Sequence, residues 1–258
     1  NFCASGWTMG GPWITPEMNG RWFVQSETKI KGPQHFTGKL PVPDPRGGYK
    51  PPYQFNVKLQ MEWPREKMDY RDNAVVAFRE KPGVADRFTD ERALLLDAKS
   101  NRKDAWCHIS PHDLMEPAIA PLRSHASDQP VALKDIIDLT SKLKSDGSID
   151  WEVPDGDWTI VRTGHVATGA PLVCILPEMT NGALAVDWLN AASVDTMFRY
   201  LGKILVEDAG REHVGKTLKY FHTDSYEDGY PNWTDKLLAK FKSYRGYDPT
   251  PYLPVFSG

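Results

Sequence analysis

The rhythm of apolar and polar positions changes along this chain. Residues 1–30 open on a short apolar run, pass through the Gly/Pro loop "GWTMGGPWITPEMNG" and reach "RWFVQSE". Residues 33–52 are dense in proline and glycine, which predicts a linker or a long surface loop. From about residue 53 the period is two. In "YQFNVKLQMEW", Phe55, Val57, Leu59 and Met61 alternate with polar neighbours, the pattern of a half-buried strand. "NAVVAFRE" and "RALLLDAKS" are short apolar runs bounded by polar turns. "IDWEVPDGDWTIVRTGHV" predicts two strands joined by a hairpin at Pro154-Asp155-Gly156. Residues 31–180 therefore read as a β-rich, sandwich-like module.

After residue 180 the period lengthens. Met197, Leu201, Ile204 and Leu205 share helical spacing, and Gly210 stands where a C-terminal cap glycine belongs. "TLKYFHTD" predicts a strand. Thr234 then predicts the N-cap of a helix that buries Leu237, Leu238, Phe241 and Tyr244 and ends at Gly246. Helix, strand, acidic loop and helix make an α/β rhythm. Residues 1–30 and 181–258 are assigned to that α/β part, with 31–180 inserted into it.

Composition narrows the function classes. A chain of 258 residues with 40% hydrophobic residues and nine tryptophans has material for a core, which excludes global disorder. A net charge of −3 with mixed signs advertises no basic face, so nucleic acid is not an expected partner. No apolar run approaches the length of a membrane-spanning helix. The start "NFCASGW" lacks a charged region ahead of an apolar one, so a signal peptide is expected to be absent or removed. Cys3, Cys107 and Cys174 have no metal-ligand spacing and read as buried thiols. The aromatic content suits either sugar-stacking surfaces or core packing.

Three short motifs carry little. "GREHVGKT", residues 210–217, matches the phosphate-loop pattern, but a helix precedes it and a strand follows. That order points carbonyls, not amides, into the loop, which disfavours phosphate. Asn232-Trp233-Thr234 is a formal glycosylation sequon, and His108 and His112 flank a proline that argues against a helical metal pair.

The stretch "FHTDSYEDGYPNW" is different in kind. It places Asp224, Glu227 and Asp228 at the end of a strand pattern, with Tyr226, Tyr230 and Trp233 around them. In α/β barrels the loops leaving the C-terminal ends of strands hold the reactive groups. Aromatic walls raise a neighbouring carboxyl's pKa by desolvation, and a glycosidase general acid must stay protonated near neutral pH. Asp224 could bond a sugar hydroxyl, and Asp228-Gly229 is first a turn. On spacing alone, an acidic surface turn and an active-site loop both stand.

The chain resembles glycoside hydrolase family 106, the α-L-rhamnosidases. The resemblance is carried in order by "GWTMGGPWITPEM", "YRDNAVVAF", "DGSIDWEVPDGDWTIVRTGHVATG", "VDWLNAASVDTMFRYL", "DSYEDGYPNWT" and "FKSYRGYDPTPYLPVFSG". It implies an α/β fold, part of a (β/α)8-type barrel with an inserted β-rich module, and a calcium-dependent enzyme cleaving terminal α-L-rhamnose with inversion. Within the motif it implies Glu227 as general acid, with Asp224, Tyr226 and Trp233 near substrate. Trp7, Trp13 and Glu17 of the first loop would face the same pocket, with loop packing the alternative for the tryptophans. Family members are longer, so the chain reads either as part of such an enzyme or as a truncated relative with altered activity, and the catalytic base and calcium ligands are not placed. The implied partner is a rhamnose-containing oligosaccharide or polysaccharide, and the implied location is a bacterial periplasm or cell surface. The competing reading is a non-catalytic carbohydrate-binding protein.

Overall fold

We describe the protein from a computed structural model that covers residues 2–5, 9–43, 68–80, 131–169, 172, 183–224 and 231–256. The expected strand at 53–63, the run at 92–100, and Cys107, Cys174, His108 and His112 lie outside the described residues.

The architecture is mixed and sheet-rich. The strands are β1 (Phe2–Ser5), β2 (Gly10–Gly11), β3 (Arg21–Lys39), β4 (Arg71–Arg79), β5 (Ile136–Asp138), β6 (Ser148–Ala167), β7 (Leu184–Ala185) and β8 (Phe221–Asp224). The helices are α1 (Ala191–Tyr200), α2 (Gly202–Ala209) and α3 (Leu237–Arg245). Among the described residues the strands form two pairs, β1-β8 and β2-β7, and one four-stranded sheet in the order β3-β6-β4-β5, with no closed barrel. Two compact units result. One comprises Asn1–Trp22, Gln54–Tyr70 and His165–Leu237; the other comprises Phe23–Tyr53, Arg71–Gly164 and Leu238–Gly258. These limits fall inside β3, β6 and α3, whereas the sequence pattern drew them at 30/31 and 180/181.

The second unit is built on the four-stranded sheet. Residues 33–39, expected as loop, continue β3. Proline is tolerated there because β3 is an edge strand. Leu40 N–H donates to Gly147 O at 3.0 Å, and His35 meets Glu152 across the strands at 2.7 Å. The expected hairpin at Pro154-Asp155-Gly156 is instead a bend within β6. Trp151 and Trp158 are seven residues apart, which is about 23 Å along a straight strand. Their rings nevertheless meet edge-to-face at 5.6 Å. Gly156 supports the bend at φ +114°, and a Cβ on Gly32 opposite would run into Pro154 O.

The bend explains the burial pattern. Before it, Ile149, Trp151 and Val153 point inward while Asp150 and Glu152 face solvent; after it, residues 158–167 are buried throughout. The arm thereby covers its own sheet, joining Leu40, Val75, Ala77, Leu139, Trp158 and Ile160 in one core. One self-covering sheet takes the place of the expected sandwich-like pairing among the described residues. Arg162, 5% exposed, is held by Asp72 through two bonds of 2.7 and 2.9 Å and donates to Leu40 O at 3.0 Å. A buried guanidinium is tolerated only with such partners.

In the first unit, Met9, Ile14, Leu184, Val186 and Met197 form the core. The helix predicted through Met197–Leu205 is two segments that meet at Leu201, started by Asn190 accepting from Ala192 N–H at 3.0 Å. Gly210 follows at φ +88°, in the left-handed half of the map that cap glycines occupy. Of the expected apolar stripe, Met197 is buried and Ile204 is 51% exposed. The expected strand at 217–224 narrows to Phe221–Asp224, parallel to β1 with Ser5 opposite Asp224. "GREHVGKT" follows the C-terminal end of α2 and contains a short 3-10 turn, Arg211–His213.

α3 starts and stops near its predicted limits, but Tyr244 is 75% exposed rather than buried. After it, Asp248 accepts from Thr250 and from Lys242, and these bonds hold its carboxyl down at about 2. They start the 3-10 segment Thr250–Phe256, whose Leu253 is fully buried and which packs on β4 and β5.

Trp151→Ala should cost about 3–5 kcal/mol, the range for emptying a buried aromatic site. Denaturant unfolding checks this, and a loss below about 1 kcal/mol would mean that the bent arm does not seal the core.

Candidate active site

β8 ends at Asp224, beside the end of β1 in a parallel pair. Parallel strands collect reactive groups on the loops beyond their C-terminal ends. Residues 225–230, which follow β8 in the sequence, lie outside the described residues, and with them Tyr226, Glu227 and Asp228, as does Trp7. For Asp224 only its backbone placement at the strand end is described. The chain is described again from Pro231.

From Pro231 to Asp235 almost every group is tied down. Pro231 lies against Gly20, where a Cβ would come within 3.1 Å of the proline ring. The N–H groups of Asn232 and Trp233 donate to Arg21 O at 3.0 and 3.2 Å. Trp233 is 1% exposed, with its ring 6.2 Å from that of His165. Thr234 donates its hydroxyl to Asp187 Oδ2 at 2.8 Å. Asp235 Oδ1 meets His165 Nε2 at 2.9 Å and lies 3.9 Å from Arg21 Nε. An ionised carboxylate only accepts, so this contact places a proton on Nε2.

Arg21 joins these contacts. Its side chain is 0% exposed, and its guanidinium bonds Asp69 Oδ2 at 2.9 Å, Asp69 O and Pro16 O. Asp69 holds its carboxylate there at φ +45°, the left-handed region that non-glycine residues seldom occupy. Beside it, Asn19 is fully buried and used at both ends. Its Nδ2 donates to Ala185 O at 2.7 Å, and its Oδ1 accepts from Thr168 Oγ1 and Gly169 N–H.

Of the residues expected at the site, Trp13 is half-buried and stacks on Tyr200 at 5.2 Å and 11°. Glu17 is exposed on a 3-10 turn, Pro16–Met18. Trp233, expected as a pocket wall, is core: a ring with 1% exposure offers no face for a sugar to stack on. Asn19, Arg21, His165, Asp187 and Asp235 were not anticipated. For Asn19, Arg21, His165 and Asp187 the signal was present as polar groups set within apolar runs, "MNGRWFV", "IVRTGHV" and "LAVDWL". A buried polar group must find a partner, but the run does not say which. Among the described residues no group of three or more His, Cys, Asp and Glu side chains is arranged to hold a metal ion.

Burial pushes the Asp187 carboxyl above its ordinary value of 3.8, against the opposing bonds from Thr234 and Leu189 N–H and the nearby Arg21 charge. The folded state therefore binds this proton more tightly than the unfolded chain. The stability it contributes is present below 3.8 and is lost as pH rises through the higher folded value. Asp187→Asn should flatten the fall in Tm with rising pH over that window, measured by thermal unfolding against pH. An unaltered slope would remove Asp187 as its source.

The chain was compared with known proteins. The family model described as alpha-L-rhamnosidase, glycoside hydrolase family 106, matches residues 2–258. A protein of Formosa agariphila named "Putative beta-glucuronidase" is 32% identical over 256 residues, covering 98% of this chain and 19% of that protein. A solved rhamnosidase structure from Novosphingobium sp. PP1Y superposes with a TM-score of 0.64 at 22% identity, covering 97% of this chain and 33% of that one. The chain thus spans a third or less of the length of these two relatives. With a match that runs over nearly every residue, this chain belongs to the α-L-rhamnosidase family, glycoside hydrolase family 106.

Proposed function

We propose that this chain is the part of an inverting α-L-rhamnosidase that carries the general acid, Glu227. The observation that carries the reading is the placement of "DSYE". In a member of this glycosidase family, a strand parallel to β1 ends at Asp224, and the glutamate follows three residues later. In this reading β1 and β8 are strands of a (β/α)8-type barrel. Glu227 protonates the glycosidic oxygen as the bond to the anomeric carbon breaks. A second carboxylate, about 6.5–9.5 Å away, takes a proton from the water attacking the opposite face. Asp224 and Tyr226 lie beside the acid in sequence, to bond a sugar hydroxyl and to desolvate the carboxyl. Trp7, Trp13 and Glu17 of the first loop complete the proposed substrate surface. Calcium belongs to the reading as the family's ion, with no ligand assigned on this chain. The substrate is a rhamnose-containing glycan of plant type, and the enzyme works in the periplasm or at the cell surface. No helix among the described residues is long and apolar enough to cross a membrane.

A second reading, hydrolysis of a different sugar, is favoured by the name of the Formosa relative. Paired assays on aryl α-L-rhamnoside and aryl β-glucuronide separate the two. Glu227→Gln in the full-length protein should lower turnover of an alkyl rhamnoside on the order of 10²- to 10⁴-fold, with unfolding unchanged. Proton NMR of early product should show the β-anomer. Turnover within a few-fold of the parent would remove Glu227 as the acid. Binding of rhamnosyl oligosaccharides without hydrolysis would favour a non-catalytic carbohydrate-binding protein.

A further inference from the structure

α3 leaves its apolar side uncovered where it ends. Leu237, Phe241 and Tyr244 share one side of the helix by spacing, yet the Tyr244 ring stands in solvent. Gly246 turns the chain at φ +77°, and Tyr247 and Tyr252 beyond it are exposed as well. These rings are open but not loose. Phe241 meets Tyr247 edge-to-face at 5.2 Å and 84°, and Tyr247 meets Tyr252 in the same way at 5.9 Å and 77°. Tyr252 N–H donates to Pro249 O at 2.9 Å, and the next residue, Leu253, is fully buried. Edge-to-face contacts of this kind fix the orientation of the rings while leaving part of their faces bare.

The charges beside them are one-sided. Residues 238–258 carry Lys240, Lys242 and Arg245 against a single acid, Asp248, in a chain whose net charge is −3. Asp248 Oδ2 holds Lys242 Nζ at 2.9 Å. Lys240 stands over the Tyr244 ring, its Nζ 5.7 Å from the centroid. Neither Lys240 nor Arg245 forms an ion pair among the described residues. Burying such cations against an apolar protein surface is costly, whereas an acidic ligand would pair them. Rings with polar tips beside open cations suit a sugar that carries an anion. The C–H face of a pyranose stacks on the rings, its hydroxyls meet the phenol groups, and its anion meets the ammonium or the guanidinium.

We propose that Tyr244, Tyr247 and Tyr252, together with Lys240 and Arg245, form a binding surface for an acidic glycan, a chain of pyranose units bearing carboxylate or sulfate groups. Charge complementarity selects the anion, and membership of a glycoside hydrolase family selects a glycan as its carrier. These residues bind, and none is assigned a chemical step. The surface therefore stands whether or not Glu227 is the general acid.

The test is isothermal titration of the full-length protein with three probes: oligogalacturonides, a heparin-derived oligosaccharide and neutral dextran oligosaccharides. The two acidic probes separate carboxylate from sulfate as the recognised group. At least one of them should bind about tenfold or more tightly than dextran. Raising the salt from about 0.05 M to about 0.5 M should weaken that binding, because the cations are exposed to screening. Tyr247→Ala should lower the affinity for the acidic probe on the order of tenfold, and so should Lys240→Gln combined with Arg245→Gln. Tyr247 touches two other rings, so if Tyr247→Ala does not fold, Tyr244→Ala at the exposed ring takes its place with the same expectation. Thermal unfolding identifies the folded variants. Parental affinity in a folded variant, equal binding of dextran, or no binding of either acidic probe by the parent would each overturn the proposal. The last is the result expected if a second copy or another part of the full-length protein covers the rings.

Discussion

A guanidinium with no solvent exposure, that of Arg21, sets the terms for the first unit. An isolated buried cation is far too costly to keep, so the fold must bring anions and carbonyls to it. Asp69 supplies a carboxylate oxygen and its own carbonyl, at a backbone angle that non-glycine residues seldom adopt. Asp235 supplies a second, longer contact and is itself bonded to His165. The main chain of the same arginine accepts the N–H groups of Asn232 and Trp233. One residue thereby gathers three segments that are distant in sequence, and each depends on the others for its neutrality.

The consequence is a closely bonded segment, Pro231–Asp235, that follows the acidic motif in the sequence. Hydrogen bonds to charged groups are stronger than neutral ones, and inside a protein they are less screened. Asn19 extends these bonds by satisfying Ala185, Thr168 and Gly169 together. Trp233 adds a buried ring beside His165. The aromatic residue nearest the motif with a described side chain thus serves as foundation, not as a stacking surface.

Much of the secondary structure was legible because it rests on local rules. The apolar run "NAVVAF" became β4, Gly210 and Gly246 ended helices, and "PDG" marked a change of direction. What the direction change meant was not legible. A hairpin and a bend within a strand share the same turn residues, and only the partner strand β3, continuing past the bend, decides between them. The Pro/Gly content of 33–39 misled for the same reason, since an edge strand accepts a proline that a central one would refuse. Tyr244 shows a further limit: helical spacing says which residues share a face, not whether anything covers it.

For the site, the division is equally physical. The order of motifs along the chain, with an acid three residues beyond a strand end, is a property of sequence and was readable there. The union of Asn19, Arg21, Asp69, His165, Asp187, Thr234 and Asp235 was not, because their pairings join residues far apart in the chain, as from Asn19 to Ala185 and from Arg21 to Asp235. Sequence by itself determined the element types, the family pattern and the placement of Glu227 after a strand. Tertiary structure alone decided which charges neutralise one another, since burial creates the need for a partner and only the folded chain brings one within reach.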